Sequence, residues 1–139
     1  MTLERGSRVV VEVGPVAHGG HCVARHEGQV LFVRHALPGE RVEAVVTDVG
    51  RKGRFVRADA VDVLEASPDR VEPPCPVAGP GLCGGCDWQH ASLPAQRALK
   101  ADVLREQLAR LGGIDTVGGR PLSEAVDVVG VPGDHDGLG

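Results

Sequence analysis

Three of the four cysteines of this chain lie within twelve residues, in the stretch CPVAGPGLCGGCDWQH at positions 75–90. Cys83 and Cys86 form a C-x-x-C pair, a spacing that lets two sulfur atoms face one metal ion. The glycines between them let the backbone turn tightly and point its N–H groups at the sulfurs. Cys75 lies eight residues before Cys83, on a segment flexible enough to fold back. Three close cysteines with one remote ligand are a known way of holding an iron–sulfur cluster.

The same spacing also suits zinc, which prefers a closed tetrahedron of Cys and His ligands. A zinc site complete within this chain would consist of Cys75, Cys83, Cys86 and His90. A free redox C-x-x-C fits less well, because no βαβ pattern surrounds it. Cys22 is another candidate for the fourth ligand, although a cysteine inside a strand is more commonly a small buried apolar residue. From the spacing alone, zinc and iron–sulfur remain equal alternatives.

Charge and composition limit the possible classes of protein. The chain has 139 residues and a formal net charge of −4, so no global basic field marks it as nucleic-acid-binding. Residues 1–60 carry nine Lys/Arg against seven Asp/Glu, whereas residues 61–139 carry six against twelve, which indicates differently used segments. We find no signal peptide and no window approaching the roughly 20 apolar residues of a membrane helix. We therefore expect a cytoplasmic protein, in which clustered cysteines bind metal more often than they form disulfides. Separately, a monomer is the oligomeric state we expect.

The first part of the chain, residues 1–66, is typical of strands and tight turns. The strand-like stretches are RVVVEV, HCVARH, GQVLFV, RVEAVVTDV and FVRADAVDVLEA. Between the third and the fourth, Pro38 and Gly39 predict a type II turn, because Pro fixes φ and Gly accepts a positive φ at the next position. Five short strands favour a small closed barrel over an open sheet with exposed edges, with a small β-sandwich as the alternative.

The fifth strand contains a change of phase. Its apolar residues alternate at Val56, Ala58 and Ala60, and the alternation then continues on Val61 and Val63. A slip of one residue in a long strand is what a β-bulge produces. We therefore predict a bulge at this point of the barrel.

The remainder divides into three segments. Residues 67–92 are too rich in proline and glycine for regular structure and form the cysteine segment. Residues 93–112 predict an amphipathic helix that starts at an N-cap Ser92 and stops at glycine. Its apolar face is predicted to contain Ala101, Leu104, Leu108 and Leu111. Residues 113–139 resemble a linker followed by the start of a further, truncated domain.

Two stretches resemble known families. Residues 18–48, HGGHCVARHEGQVLFVRHALPGERVEAVVTD, resemble the TRAM domain, an RNA-binding barrel related to the OB-fold. The stretches SPDRVEPPC and CGGCDWQHASLPAQRALKADVLREQL resemble the segment that follows this domain in bacterial RNA (uracil-5-)-methyltransferases. The two together are more specific than either alone. Radical enzymes that methylthiolate tRNA also combine TRAM domains with clusters, but their C-x₃-C-x₂-C motif is absent and their TRAM domain follows the cluster region.

This resemblance implies a fold, a cofactor and a reaction. The fold is mainly β, with a five-stranded OB-like barrel followed by a cysteine-rich loop and one helix. Cys75, Cys83 and Cys86 would bind a [4Fe–4S] cluster whose fourth ligand lies beyond Gly139. The parent enzyme would transfer a methyl group from S-adenosylmethionine to C5 of uridine in rRNA or tRNA. Its catalytic cysteine and carboxylate belong to a Rossmann-like domain absent here, so we assign no catalytic residue. The alternative is a stand-alone zinc-binding TRAM adaptor.

RNA is the expected partner, and phosphate contacts need Lys and Arg on one surface. The best candidates are Arg25, Arg34, His35, Arg51, Lys52, Arg54 and Arg57. Because the barrel contains only Phe32 and Phe55 as aromatic residues, base stacking must be limited. We therefore expect weak, salt-sensitive binding with little sequence preference.

Overall fold

The computed structural model of the protein describes residues 3–50, 55–83, 86–114 and 116–129. Five strands form a closed barrel in the order β1-β2-β3-β5-β4, in which only the β3–β5 pairing is parallel. The predicted mainly β fold with a closed five-stranded barrel is confirmed. The strands are β1 (Arg8–Ala17), β2 (His21–His26), β3 (Gln29–Arg34), β4 (Arg41–Val49) and β5 (Val56–Glu65).

The core of the barrel consists of small aliphatic side chains. Because successive side chains of a strand point to opposite faces, every second residue of each strand is directed inward. The most buried inward positions are occupied by Cys22, Leu31, Val33, Val42, Ala44, Val46, Val56 and Ala58. None of the three aromatic residues is fully buried. Phe55 is exposed, whereas Phe32 and Trp88 are partly buried, and Trp88 packs against the core.

Two tight turns set the register of the barrel. At the turn before β4, Glu40 N donates to Leu37 O at 3.1 Å and Gly39 has a φ of +86°. The turn predicted at this proline–glycine pair is thus confirmed. Between β2 and β3, Glu27 and Gly28 both have positive φ, as a two-residue type I′ hairpin requires.

The bulge predicted in β5 is confirmed. Glu43 pairs with Asp62, whereas the next residue of β4, Ala44, pairs with Ala60. Val61 is therefore the extra residue, and its side chain is exposed. A bulge of this kind bends the strand and lets a small barrel close.

One long helix follows the barrel. Helix α1 (Leu93–Arg110) starts at Ser92, whose Oγ accepts a hydrogen bond from Ala95 N at 3.3 Å. The predicted apolar face is wrong in its second half, because Leu104 is 45% exposed and Leu111 is 81% exposed. The buried residues cluster in the first half, which packs against the barrel core, and include Ala95 and Leu99.

A small C-terminal unit packs against α1. It contains the strands β6 (Thr116–Val117) and β7 (Arg120–Pro121) and the single-turn helix α2 (Leu122–Ala125). The side chain of Arg105 on α1 donates to the carbonyl oxygens of Leu122 and Val126 and so holds this unit. Neither helix of the described residues combines the length and the apolar character needed to cross a membrane.

Candidate nucleic-acid interface and cysteine segment

The outward face of β2, β3 and β5 carries a cluster of rings. Phe32 on β3 and Phe55, which precedes β5, stack with ring centroids 6.3 Å apart and an interplanar angle of 23°. His21 on β2 forms a T-shaped contact with Phe32, with a centroid separation of 4.9 Å and an interplanar angle of 69°. The parallel register pairs Phe32 with Arg57 and so places a guanidinium beside these rings. We call His21, Phe32, Phe55 and Arg57 the ring face.

Two depressions open along the ring face. The larger, of about 740 Å³, extends toward Arg34 and Asp87. The smaller, of about 310 Å³, extends toward helix α1 and is lined there by Glu106, Gln107 and Arg110. Both share four lining residues, so they form one continuous surface: His18, His21, Phe32 and Arg57.

The charges of this surface are mixed. Arg34 is paired with Asp87, and Arg110 is paired with Glu106 at 2.9 Å. Arg57 makes no ion pair with any carboxylate in the described part of the chain. Burial lowers the pKa of His21, and the nearby Arg57 lowers it further, so the imidazole is neutral at neutral pH. Arg57 is the register partner of Asp48, and Asp48 and Asp59 line the larger depression with it. Of the arginines that line this surface in the described part of the chain, Arg57 is nevertheless the one without an ion pair, and so the cation most available to a phosphate.

The structure brings together only some of the predicted RNA contacts. Arg34 and Arg57 line the same depression. Arg25 points outward near the opposite end of β2, where it pairs with Val30, and it lines neither depression. His35 is directed elsewhere: its φ is +64°, and its ring centroid lies 6.2 Å from that of His90. Three further candidates lie outside the described residues, namely Arg51, Lys52 and Arg54.

The two ends of the cysteine segment are held together at its base. Arg70 and Ala91 form an antiparallel β-bridge. On either side, Val71 N donates to His90 O at 2.9 Å and Ser92 N donates to Asp69 O at 2.8 Å. The irregular chain between positions 71 and 90 is therefore a loop with fixed ends.

His90 is a buried packing residue. Its Nε2 lies 3.2 Å from Ala36 O, and only 5% of the residue is exposed. Because a carbonyl oxygen only accepts, Nε2 carries the proton and donates. Cys22 Sγ donates to the same oxygen at 3.7 Å, and burial raises the pKa of this thiol to about 12. Cys22 is thus a protonated core residue, as its position within a strand predicted.

The three remaining cysteines lie on the loop. Cys75 N donates to Gln89 Oε1 at 3.0 Å, and Cys83 N donates to Val77 O at 2.9 Å. Cys83 is exposed, whereas Cys75 and Cys86 are half-buried. In the described ranges, no three His, Cys, Asp or Glu side chains come together as ligands of one metal ion. The donor chemistry nevertheless fits a cluster, because accessible thiols on a loop with fixed ends are the soft ligands that iron–sulfur clusters require.

Comparison with known proteins identifies the barrel. The family model of the TRAM domain matches residues 2–61. Residues 2–61 form a TRAM domain. The match covers β1 to β4 and the first part of β5, and so includes the whole ring face.

Relatives of the TRAM domain and of the segment after it are RNA methyltransferases. An uncharacterized RNA methyltransferase of Streptomyces avermitilis is 67% identical over 110 residues, which are 78% of this chain and 25% of that protein. The 23S rRNA (uracil(1939)-C(5))-methyltransferase RlmD of Halomonas elongata is 52% identical over 108 residues, 77% of this chain and 21% of that protein. An uncharacterized RNA methyltransferase of Bifidobacterium longum is 43% identical over 129 residues, which are 89% of this chain and 28% of that protein. The chain thus spans about a quarter of the length of these relatives, which confirm the resemblance to RNA methyltransferases.

The TRAM domain is joined to the cysteine segment by an ion pair that sequence reasoning missed. The carboxylate of Glu40 accepts from Arg70 Nε at 2.6 Å and from Arg70 Nη2 at 2.8 Å. It also accepts from Leu37 N at 2.7 Å and from Ser67 N at 3.1 Å. Burial raises the pKa of Glu40, but these hydrogen bonds outweigh burial and leave the pKa below its ordinary value. Position 40 follows a proline–glycine turn, so nothing in the local pattern predicts a buried carboxylate there.

A second contact joins the TRAM domain to the loop. Asp87, directly after Cys86, pairs with Arg34 at the edge of the ring face. Asp87 also lies against Gly20 in the turn between β1 and β2. A Cβ at Gly20 would lie 2.4 Å from Asp87 Cγ, so only glycine leaves room for this carboxylate. Among the described residues of the cysteine segment, Asp87 is therefore the one that lines the larger depression.

Proposed function

We propose that this chain is the RNA-binding and cluster-holding portion of an RNA (uracil-5-)-methyltransferase. The whole protein would transfer a methyl group from S-adenosylmethionine to C5 of a uridine in rRNA or tRNA, in the cytoplasm. One observation supports this most strongly: a TRAM domain with a ring face is followed by a three-cysteine loop in a chain 52% identical, over 108 residues, to a protein named as a 23S rRNA uracil-C5 methyltransferase.

In this proposal, the TRAM domain holds the RNA. Phosphates would contact Arg57 first, because it has no carboxylate partner in the described part of the chain. Arg34 would contribute less, because it is neutralised by Asp87. With few free cations on the described surface, the binding is weak and depends on salt. The chemistry of methyl transfer is left to residues outside this chain.

The cysteine loop would hold a [4Fe–4S] cluster through Cys75, Cys83 and Cys86, with the fourth ligand outside this chain. When bound, such a cluster supplies a covalent cross-link through metal–thiolate bonds. The loop residues provide the thiolates, and the pairing of Arg70 with Ala91 fixes where the loop begins and ends. The buried His90 is occupied with the Ala36 carbonyl and is a poor fourth ligand for a zinc site within the chain.

Metal content tests the cluster. We would purify the chain without oxygen and measure iron, acid-labile sulfide, zinc and visible absorbance for the wild type and for Cys75→Ser, Cys83→Ser and Cys86→Ser. Loss of iron and sulfide in each variant is expected, whereas Cys22→Ala, which alters only the barrel core, should keep both. A colourless wild type with one zinc ion that is lost in His90→Ala would overturn the cluster and favour the zinc adaptor.

The reaction is tested on the whole protein. Methyl incorporation from labelled S-adenosylmethionine into rRNA and tRNA that lack C5-methyluridine should occur at uridine C5. Methylation at another position or on another base would contradict the proposed substrate. RNA affinity of the 139-residue chain is measured against salt for the wild type and for Arg57→Gln. The log–log slope should become shallower in Arg57→Gln and stay unchanged in Arg41→Gln, which lies outside both depressions.

A further inference from the structure

We propose that the smaller depression, between the ring face and helix α1, binds one unpaired RNA base stacked on Phe55. This inference rests on the proposed RNA binding and makes it more specific, because it names single-stranded RNA as the bound form. It also assigns a role to a residue of α1, which lies outside the TRAM domain, in recognition of the RNA.

The position of Phe55 is the first observation. Phe55 is 60% exposed, whereas the other large apolar residues exposed in the described part of the chain are aliphatic. The orientation of the Phe55 ring is fixed by packing, because it stacks on Phe32, which in turn contacts His21. The ring is thus supported on one side by other rings and accessible on the other. A supported, accessible aromatic ring offers stacking area to a base at low entropic cost.

The walls of the depression are the second observation. On the barrel side it is lined by Phe32, Phe55 and Arg57, and on the helix side by Gln107. Its volume of about 310 Å³ lies at the lower end of the approximately 300–1,000 Å³ range of ligand sites. A base on Phe55 would have the helix at its edge, where the Gln107 amide offers both donors and an acceptor. Its phosphate would lie toward Arg57.

The charge of the depression is compatible with a nucleotide. Among the described lining residues the one carboxylate, Glu106, is paired with Arg110 at 2.9 Å, so it does not repel a phosphate as a free anion would. Arg57 remains without a carboxylate partner among the described residues. The described residues of the lining, with two arginines against one glutamate, therefore carry a net positive charge.

The geometry favours an unpaired base over a duplex. In a helix the faces of each base are covered by its neighbours, so a protein ring cannot stack on them without unstacking the strand. A single strand can turn one base out of its own stack at little cost. The depression therefore selects single-stranded segments, while the phosphate contacts alone would bind either form.

The test compares three variants of the full 139-residue chain. Phe55→Leu removes the ring and keeps apolar volume, and Phe55→Trp keeps a stacking surface. Leu64→Ala is the matched control, because Leu64 is an exposed apolar side chain of β5 that lines neither depression. Affinity is measured for single-stranded oligouridine and oligoadenosine and for a fully paired RNA stem of equal length.

The expected results are specific to stacking. Affinity for the single strands should fall roughly tenfold in Phe55→Leu and persist in Phe55→Trp and Leu64→Ala. Affinity for the paired stem should be lower than for single strands in the wild type and nearly equal among all variants. A fluorescent base analogue in the single strand should be quenched by the wild type and not by Phe55→Leu.

Two results would overturn the inference: equal single-strand affinity in Phe55→Leu and the wild type, or equal quenching by both. Either result leaves the proposed function intact as long as the wild type binds RNA and the salt slope responds to Arg57→Gln. If the wild type binds neither RNA form, the proposed function and this inference both fail. Gln107→Ala gives an independent check, because it should change the preference between oligouridine and oligoadenosine without abolishing quenching.

Discussion

The carboxylate of Glu40 is completely buried, and it is held there by the guanidinium of Arg70, whose side chain is only 21% exposed. The match to the TRAM domain ends at residue 61, so one partner lies inside it and the other outside. The barrel and the base of the cysteine segment should therefore unfold as one unit.

Removing the charge of Glu40 should be costly. Glu40→Gln leaves Arg70 partly buried without its anion, and we expect a loss of about 3–5 kcal/mol in the free energy of unfolding. Urea denaturation near neutral pH measures it. The matched control is Glu43→Gln, which breaks the surface pair with Arg8 at 2.9 Å and should cost about 0–1 kcal/mol. Similar losses in the two variants would show that the buried pair stabilises the fold no more than the surface pair does.

Acid should weaken the fold through His90. Burial is the main cause that lowers the pKa of His90 from 6.5 to about 4. The charges of Arg70 and His35 act in the same direction, whereas the hydrogen bond to Ala36 and the charge of Glu40 oppose it. Because His90 takes up a proton more readily in the unfolded chain than in the folded one, protonation favours unfolding. The free energy of unfolding is therefore unaffected by His90 above pH 6.5 and declines as the pH falls toward 4. The full loss in the free energy of unfolding that protonation of His90 causes is on the order of 3 kcal/mol.

His90→Gln should flatten this pH dependence, because a glutamine amide can donate to Ala36 O and does not titrate. The midpoint of urea unfolding, followed from neutral to mildly acidic pH, is the measurement. Exposed His18 provides the control, since His18→Gln should leave the curve unchanged. A curve in His90→Gln as steep as that of the wild type would assign the acid sensitivity to other groups.

Gly20 should be far less replaceable than Gly28. Both have a φ close to +80°, but a Cβ at Gly28 meets nothing within 4 Å, whereas one at Gly20 collides with Asp87. The backbone strain is therefore matched, at about 1–2 kcal/mol, and Gly20→Ala should lose roughly 1–3 kcal/mol more through overpacking. Thermal or urea unfolding of both variants gives the difference. Adding Asp87→Ala to Gly20→Ala should remove most of this difference in stability. If the double variant is no more stable than Gly20→Ala, the collision with Asp87 is not the cause of the loss.

Asp87→Asn should strengthen RNA binding. The substitution keeps the shape of the side chain and releases the positive charge of Arg34 at the edge of the ring face. If Arg34 then contacts one more phosphate, the log–log slope of affinity against salt should steepen by about 0.7 for a single strand. Asp102→Asn breaks an exposed pair on α1 and serves as the control. An unchanged slope in Asp87→Asn would mean that Arg34 does not reach the RNA.

Features that depend on near neighbours in the chain could be predicted from the sequence. The alternation of apolar residues predicts all five strands, and its change of phase predicts the bulge at Val61. The Pro38–Gly39 pair gave a turn, and Ser92 gave the start of α1. Each depends on steric or hydrogen-bonding preferences that act within a few residues.

Features that depend on distant residues could not be predicted. Glu40 and Arg70 are 30 positions apart, and Arg34 and Asp87 are 53 apart, so no periodicity links them. The stacking of Phe32 on Phe55 follows from the closure of the barrel, which makes β3 and β5 neighbours. The sequence predicts His35 as an RNA contact from its type and its place in a loop. Its left-handed backbone, which accompanies the approach of its ring to that of His90, leaves no local signal.

The bridge between Arg70 and Ala91 holds the two ends of the loop together. The barrel is therefore little affected by how many residues the loop contains. Closing a loop twice as long costs only about 0.6 kcal/mol more when its ends are already held. Residues can therefore be inserted between Cys75 and Cys83, or removed there, with little effect on the barrel. The distance along the chain between these two sulfur atoms can in consequence be changed by engineering without moving the points at which the loop is anchored.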